Sequence, residues 1–327
     1  MSSPLRPSFV EQEKAVRQLC HNRGLSGLFM LVDSGVESMV GDFMPEVPRL
    51  VVRAGERSKS LKTVEKVWRF LISGGAVRRS VLINVGGGMV SDLGGFAAAT
   101  FMRGIACVNV PTTLLAAVDA SRGGKTAINF DGLKNEVGAF ALPAGVFPLT
   151  CLFDHLPERE WLSGVGEVLK TALLDSASLF ELASSEEFIV ERRPDVVEEV
   201  VRRCAAFKTR IVEEDFRESG KRRILNLGHT AGHAIEAWSL AHGTPMPHGI
   251  AVAHGLWFAL ERSCREAGLP DTVLKRYEEV LEQYFPPLTL EADQLNEAWE
   301  YMAYDKKNES RNSPAWVLLK DIGQPVY

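Results

Sequence analysis

The stretch Val81–Asp92, which reads VLINVGGGMVSD, constrains the fold more than any other part of the chain. An apolar strand runs into three glycines and then into a helix start. A second apolar strand, Ile105–Val110, follows and ends in Pro-Thr-Thr. Strand, helix and strand in this order predict a parallel α/β sheet. Ligands of such sheets bind at the carboxyl ends of the strands, where Gly86–Gly88 and Thr112–Thr113 are expected to lie.

The glycine turn favours a phosphate ligand without requiring one. Glycines let the backbone approach a phosphate, and the helix that follows offers N–H groups and the positive end of its dipole. The usual Gly-x-Gly-x-x-Gly fingerprint is absent, so a plain strand-to-helix turn is an equally good interpretation.

Two stretches after the second strand, Val118–Thr126 and Gly132–Asn135, are predicted to be loops. Two of their lysines lie beside or near glycines, which favours an anion site, although scattered loop lysines usually face solvent. The polar residues that these loops are expected to bring together are Asp119, Arg122, Lys125, Lys134 and Asn135.

The second half of the chain, after Leu156-Pro157, reads mostly as helices, with a closing strand at Ala315–Leu319. With 327 residues the chain is long enough for two domains, predicted as 1–155 and 156–327. His229 and His233 are four apart, so on a helix they share one face. A zinc site needs at least one more ligand, and the pair alone favours histidines facing a polar groove or core. Glu167 and Lys170 form either a surface ion pair or a metal ligand beside a substrate contact.

Composition and charge exclude several classes of function. The net charge of −5 argues against a nucleic-acid partner, and no apolar run approaches the roughly 20 residues of a membrane span. The N-terminus lacks the apolar core of a secretory signal. Five scattered cysteines without a Cys-x-x-Cys motif predict a reducing, cytoplasmic compartment.

Several separate motifs occur in one order between about Ala54 and Gly323, and together they resemble the 3-dehydroquinate synthases, the cyclases of the shikimate pathway. The motifs are GGGMVSDLGGFAAATFMRG, VPTTLLAAVDASRGGKTAINF, GLKNEVGAF, LPEREWLSGVGEVLK, RRILNLGHTAGHAIE, HGIAVAHG and DKKN.

The resemblance implies a Rossmann-like α/β domain that binds NAD, followed by an all-α metal-binding domain. It implies a lyase that converts 3-deoxy-D-arabino-heptulosonate 7-phosphate into 3-dehydroquinate and phosphate. NAD oxidises the substrate transiently, phosphate is eliminated, the hydride returns, and an aldol closure forms the ring. A homodimer and a cytoplasmic location are also implied.

The resemblance also assigns residues. The implied ligands of zinc or cobalt are Glu167, His229 and His248. The implied NAD contacts are Ala54, Gly55, Glu56, Arg57, Ser58, Lys59, Gly86, Gly87, Gly88, Met89, Val90, Ser91, Asp92, Thr112, Thr113, Asp119, Lys125, Lys134, Leu152, Phe153, Asp154 and His155. The implied substrate contacts are Arg103, Asp119, Lys125, Lys134, Asn135, Lys170, Lys208, Arg222, Asn226, His233 and one of Lys306 and Lys307. Six of these are expected to take part in catalysis, namely Lys125, Lys170, Lys208, Arg222, Asn226 and His233.

Two departures and three rival functions stay open. Arg122 stands where the family often has a small apolar residue, and Ile250 stands where many members have Glu. Ile250 therefore leaves a carboxylate partner of the metal site undetermined. The rivals are a sister cyclase acting on another sugar phosphate, a metal-dependent polyol dehydrogenase and a non-catalytic binding protein. Zinc and cobalt accept the same ligands, so the native metal is also open.

Overall fold

The computed structural model describes residues 8–304 and 316–327. Lys306 and Lys307, the two alternatives for one predicted substrate contact, lie outside the described residues. The chain divides into two compact units, Met1–Leu156 and Pro157–Tyr327.

The first unit is built on a parallel sheet of five strands, in the spatial order β2-β1-β3-β4-β7. This confirms the predicted α/β fold. The central strand is buried along its whole length, which explains why its sequence is apolar on both faces. The sheet strands are β1 (Leu28–Asp33), β2 (Arg49–Val52), β3 (Val81–Gly86), β4 (Ala106–Pro111) and β7 (Gly145–Val146).

Helices cover both faces of this sheet. Alternate residues of β3 enter different cores: Leu82 packs in the cluster that contains Val67 and Leu93, whereas Ile83 packs in the one that contains Val16. The three helices that supply these partners are α1 (Phe9–Asn22), α2 (Leu61–Ser73) and α3 (Gly88–Thr100). The Ser60 hydroxyl caps α2 by accepting from Thr63 N.

The predicted loops at Val118–Thr126 and Gly132–Asn135 are only partly correct. Strands β5 (Lys125–Phe130) and β6 (Leu133–Phe140) form an antiparallel hairpin, with Phe130 opposite Leu133. Asp131 and Gly132 between them both have positive φ angles, 50° and 78°. An Asp-Gly pair favours this two-residue turn, and the alternation in β5 fits a strand half-buried on one face.

The second unit is helical, as predicted, and ends in a small antiparallel hairpin. The predicted closing strand is present from Leu318, and Ala315 lies outside the described residues. The elements are α4 (Glu158–Asp175), α5 (Ala177–Ala183), α6 (Glu186–Ile189), α7 (Pro194–Glu214), α8 (His229–Ala241), α9 (His248–Glu266), α10 (Asp271–Tyr284), α11 (Ala292–Glu300), β8 (Leu318–Asp321) and β9 (Gln324–Val326). Across the described part of the chain, no helix has the length and apolar character that a bilayer crossing requires.

Glycines let the backbones of three of these helices touch. A Cβ atom on Gly166 of α4 would lie 1.9 Å from the Gly249 carbonyl oxygen of α9. A Cβ atom on Gly255 of α9 would lie 2.1 Å from the carbonyl oxygen of Gly228, which caps α8. Because no larger residue fits at these crossings, α4, α8 and α9 approach each other more closely than side-chain packing allows.

Candidate active site

Each close helix crossing in the second unit has a potential metal ligand next to its glycine. Glu167 follows Gly166, His229 follows Gly228, and His248 precedes Gly249. The three side chains meet: His248 Nε2 lies 3.1 Å from Glu167 Oε1, and His229 Nε2 lies 3.5 Å from the same oxygen. Two imidazole nitrogens and one carboxylate oxygen therefore point at one place, which is the donor set of a catalytic zinc site.

The Nδ1 atom of each imidazole makes a contact that orients the ring. His229 Nδ1 lies 3.2 Å from the Leu227 carbonyl oxygen, and His248 Nδ1 lies 2.9 Å from Glu236 Oε2. These contacts favour a proton on Nδ1 and leave each Nε2 directed toward Glu167. Ile250 has no carboxylate and is buried in α9, and the carboxylate that contacts His248 Nδ1 is that of Glu236.

The electrostatics of this place favour a cation. Desolvation lowers the pKa of His248, but the hydrogen bonds and charges of Glu167 and Glu236 outweigh it and raise that pKa to about 10. The positive charge of protonated His248 is stabilised by Glu167 and Glu236. A divalent ion bound here would supply that positive charge instead. The donor set and its charge therefore fit a divalent metal.

His233 lies beside this group, one helical turn after His229. Ligand atoms of His229, His233 and His248 all lie within 4.8 Å of one another, so an alternative site with three imidazoles is also possible in geometry. Glu167 Oε1 is closer to the two Nε2 atoms than that limit, at 3.1 and 3.5 Å. Both Glu167 and His233 are therefore in reach of His229 and His248, and Glu167 as the third ligand stays a prediction.

The second unit contains three buried cations, and one of them contacts the Glu167 carboxylate. Lys170 Nζ lies 2.5 Å from Glu167 Oε2, and both side chains are 1% exposed. Lys208 of α7 and Arg222 of the 3₁₀ turn Lys221–Asn226 are also buried. Three buried cations in one unit make an anionic ligand a reasonable expectation for this unit.

In the first unit, the glycine turn follows β3. Successive strands are added on one side of β1 up to β2 and on its other side from β3 onward. Strand β3 ends at Gly86, and Gly87 caps α3. Strand β1, next to β3, has β2 on its other side, so their carboxyl ends form a switch point of the kind that binds dinucleotides. Asp33 ends β1 beside Gly86, where an added Cβ would lie 2.9 Å from Asp33 Cβ.

A buried hydroxyl at the same edge of the sheet fits a ligand. The Thr112 hydroxyl follows β4 and has no hydrogen-bond partner within residues 8–304 and 316–327. A buried polar atom of this kind is expected to be satisfied by a bound molecule. Leu149 N donates to the Pro111 carbonyl oxygen, and this bond brings the turn Thr150–His155 to the end of β4.

Lys59 joins three segments that the sequence links to NAD or substrate. Its Nζ lies 2.5 Å from Asp92 Oδ2 and 2.5 Å from Asn135 Oδ1, and its side chain is 4% exposed. Burial raises the pKa of Asp92 to about 6, although Lys59 opposes that shift. The polar turn Ala54–Lys59, the start of α3 and the β5–β6 hairpin therefore meet at one buried ammonium.

Not all of the predicted residues converge. Arg103 is exposed in the 3₁₀ turn Phe101–Arg103, which follows the end of α3 that is opposite Gly88. Lys125 and Lys134 are exposed on the hairpin. Arg122 Nε donates to the Ala117 carbonyl oxygen, so this residue braces the turn that carries Asp119. The roles of these residues stay predictions.

Two family models cover most of the chain. The model of the 3-dehydroquinate synthase N-terminal domain matches residues 49–163, and that of the C-terminal domain matches residues 164–308. A curated 3-dehydroquinate synthase of Parabacteroides distasonis is 40% identical over 90% of this chain and 85% of its own length. The chain belongs to the 3-dehydroquinate synthase family. A second member, from Pyrococcus abyssi, is 44% identical over 78% of this chain and 74% of its own length.

A solved structure outside the 3-dehydroquinate synthases shares the fold. It is a 2-deoxy-scyllo-inosose synthase complexed with carbaglucose-6-phosphate, NAD+ and Co2+, with a TM-score of 0.80. It is 28% identical, and the match covers 95% of this chain and 89% of that one. The identity to the two 3-dehydroquinate synthases is higher, which favours that family over the sister cyclase.

Two residues of the site were not predicted from the sequence. Asp33 could have been found as an acidic residue that ends an apolar strand next to a glycine turn. Glu236 could have been found as the acidic residue one turn after His233, on the face of α8 that carries the histidines. Both are single carboxylates without a local motif, so their partners are visible only in the folded chain.

Proposed function

We propose that this protein is a 3-dehydroquinate synthase. It converts 3-deoxy-D-arabino-heptulosonate 7-phosphate into 3-dehydroquinate and inorganic phosphate. One observation carries the proposal: in a member of this family, Glu167 Oε1 lies within 3.5 Å of the Nε2 atoms of His229 and His248, and the buried Lys170 ammonium contacts the same carboxylate. The three donors suit a metal that binds substrate hydroxyls. The buried cations of the second unit suit the carboxylate and the phosphate of the substrate.

The proposed cofactors are NAD and one divalent metal, zinc or cobalt. Glu167, His229 and His248 would hold the metal, and the 2-deoxy-scyllo-inosose synthase structure contains NAD+ and Co2+. When bound, NAD would accept and return a hydride, and the metal would polarise the hydroxyl on the carbon that gives up the hydride.

The cations of the second unit would bind the anionic groups of the substrate. Lys208 and Arg222 are buried, and an ammonium and a guanidinium are groups that bind a phosphate or carboxylate through charge-assisted hydrogen bonds. Lys170 contacts Glu167 and would therefore lie beside a substrate hydroxyl bound at the proposed metal. Asn226 is proposed to orient a substrate hydroxyl.

His233 is proposed to move a proton. Its ring lies 5.1 Å from that of His229 and 5.7 Å from that of His248, so it borders the ligands without replacing Glu167. An imidazole in this position can pass a proton to or from the substrate near neutral pH.

The carboxyl edge of the sheet would bind NAD. The glycine turn and the start of α3 offer N–H groups to the pyrophosphate. Asp33 at the switch point would accept from the ribose hydroxyls, and Thr112 would donate its buried hydroxyl. Lys59 keeps the flanking segments in place through Asp92 and Asn135.

We further propose a cytoplasmic homodimer. The five cysteines are free thiols, three of them buried, which suits a reducing compartment. Phe130 and Leu133 are exposed by 53% and 57% at the tip of the β5–β6 hairpin, and a second copy would bury them. Light scattering at micromolar concentration gives the mass of the assembly, and cell fractionation gives the location.

The test of the activity is one assay with two readouts. Purified protein with NAD, zinc and 3-deoxy-D-arabino-heptulosonate 7-phosphate is expected to release phosphate without accumulating NADH. His248→Ala is the control, because it removes a proposed ligand. Net NADH would indicate a dehydrogenase. Turnover of sedoheptulose 7-phosphate or glucose 6-phosphate alone would indicate a sister cyclase, and no turnover of any sugar phosphate would indicate a binding protein.

A further inference from the structure

The turn between α7 and the 3₁₀ segment Lys221–Asn226 is organised by one carboxylate, Asp215. Its Oδ1 accepts from Ser219 N at 2.9 Å and from Ser219 Oγ at 3.1 Å. Its Oδ2 accepts from Gly220 N at 2.7 Å and from Arg222 N at 3.0 Å. One side chain therefore satisfies three backbone N–H groups and a hydroxyl.

The backbone conformation of this turn is strained and needs those hydrogen bonds to stabilise it. Glu218 has a φ of 59°, in the left-handed region that non-glycine residues rarely adopt. The N–H groups of Ser219, Gly220 and Arg222 precede or begin the 3₁₀ segment. A side-chain acceptor that gathers these groups therefore selects this one conformation of the turn.

The conformation of the turn fixes two residues of the proposed active site. The Arg222 guanidinium donates through Nη1 to the Phe216 carbonyl oxygen at 2.7 Å. Asn226 Nδ2 donates to Glu218 Oε1 at 3.1 Å, which sets the direction of its amide group. Both acceptors belong to the turn that Asp215 holds.

We propose that Asp215 is a positioning residue, which acts through Arg222 and Asn226 to place the groups that bind the anionic part of the substrate. The proposal rests on the proposed function. Asp215 is not expected to touch substrate, metal or NAD, because the hydrogen bonds of its carboxylate all come from groups of its own turn.

The charge of the carboxylate suits this role. Desolvation raises the pKa of Asp215, but the hydrogen bonds from Gly220, Ser219 and Arg222 outweigh it and lower that pKa to about 2. The acceptor is therefore ionised at any pH at which the enzyme is assayed. An asparagine of the same shape would keep one acceptor oxygen and would turn an NH₂ group toward two N–H donors.

The test compares Asp215→Asn with Glu214→Gln. Glu214 is the preceding carboxylate and bonds to Lys221 across the same turn, so it is a matched control. We expect Asp215→Asn to raise the KM for 3-deoxy-D-arabino-heptulosonate 7-phosphate at least tenfold, with zinc content unchanged. We expect Glu214→Gln to change it less than twofold. An unchanged KM and kcat in Asp215→Asn would overturn the proposal.

A double-mutant cycle separates positioning from general destabilisation. If Asp215 acts through Arg222, Asp215→Asn will cost much less in an Arg222→Lys background than in the wild type. Fully additive losses would overturn the proposal, because they would mean that Asp215 acts independently of Arg222.

Amide hydrogen exchange of residues 215–226 gives a readout that does not depend on activity. Exchange in this segment is expected to be faster in Asp215→Asn and unchanged in Glu214→Gln. If wild type and Glu214→Gln both fail to release phosphate, the proposed function fails, while the exchange experiment still tests the turn. Equal exchange in Asp215→Asn and wild type would refute the role of Asp215.

Discussion

Glu236 is the residue whose substitution tests the metal site most informatively without removing a ligand. Its Oε2 lies 2.9 Å from His248 Nδ1, and this bond directs His248 Nε2 toward Glu167. Glu236→Gln keeps an acceptor oxygen of similar reach but removes the negative charge. Glu236→Leu removes both the charge and the bond. The pair of variants separates the contribution of the charge from that of the orientation.

The expected magnitude follows from the type of hydrogen bond. A bond to a charged group contributes about 1.5–3 kcal/mol and a neutral one about 0.5–1.5 kcal/mol, so the charge contributes about 1–1.5 kcal/mol. Since about 1.4 kcal/mol is a factor of ten, Glu236→Gln is expected to bind zinc about tenfold more weakly. Loss of the whole bond in Glu236→Leu is expected to approach the roughly 100-fold limit that is typical of such partners.

The assay is competition for zinc against a chromophoric chelator at fixed pH. Glu297→Gln is the control, because Glu297 is a carboxylate that bonds to α8 through Trp238 Nε1 and not through a histidine ligand. It is expected to bind zinc as the wild type does. Wild-type affinity in both Glu236 variants would refute the reasoning, because His248 would then need no oriented partner.

Three further predictions concern packing, substrate binding and pH. Gly249→Ala would place a Cβ atom 1.7 Å from the Ser163 carbonyl oxygen, so we expect a loss of about 3 kcal/mol or more in unfolding free energy and weaker zinc binding; a wild-type melting temperature with wild-type zinc affinity would contradict the close crossing. Lys134→Ala removes an exposed cation and is expected to raise the substrate KM tenfold while changing stability by less than about 0.5 kcal/mol, and unchanged kinetics would argue against a substrate contact. The folded-state pKa of Asp215, about 2, lies below its ordinary value of 3.8, so its stabilising contribution is present above pH 4 and is lost as the pH falls from about 4 to 2; acid unfolding of Asp215→Asn should lack this component, and identical acid transitions in both proteins would contradict it.

The sheet and most helices follow from local patterns that the sequence displays. The strand before Gly86 is apolar because it is buried on both faces, and Ser60 begins α2 as a hydroxyl cap. The β5–β6 hairpin was missed because its lysines and glycines are typical of loops. The Asp131-Gly132 pair is the local signal that predicts such a hairpin.

Local sequence patterns do not predict which residues form the proposed metal site. His229 and His233 stand out because both lie on one helix, whereas Glu167, whose Oε1 lies within 3.5 Å of the Nε2 atoms of His229 and His248, is on another helix. Sequence spacing does not specify contacts between distant helices, so the residues alone left Glu167 as either an ion-pair partner or a metal ligand, and only the family resemblance grouped it with His229 and His248. The structure supplies the physical reason for the convergence: each proposed ligand is next to a glycine at which two helices touch.

The central claim is that Glu167, His229 and His248 share one divalent ion. Crystals of zinc-loaded protein, measured with X-rays on both sides of the zinc absorption edge, test it directly. We predict one anomalous zinc peak about 2.0–2.2 Å from Glu167 Oε1 and from the Nε2 atoms of His229 and His248. We expect His233 to lie beyond ligand distance of that peak. A peak bound by the three imidazoles, with Glu167 still on Lys170, would contradict it.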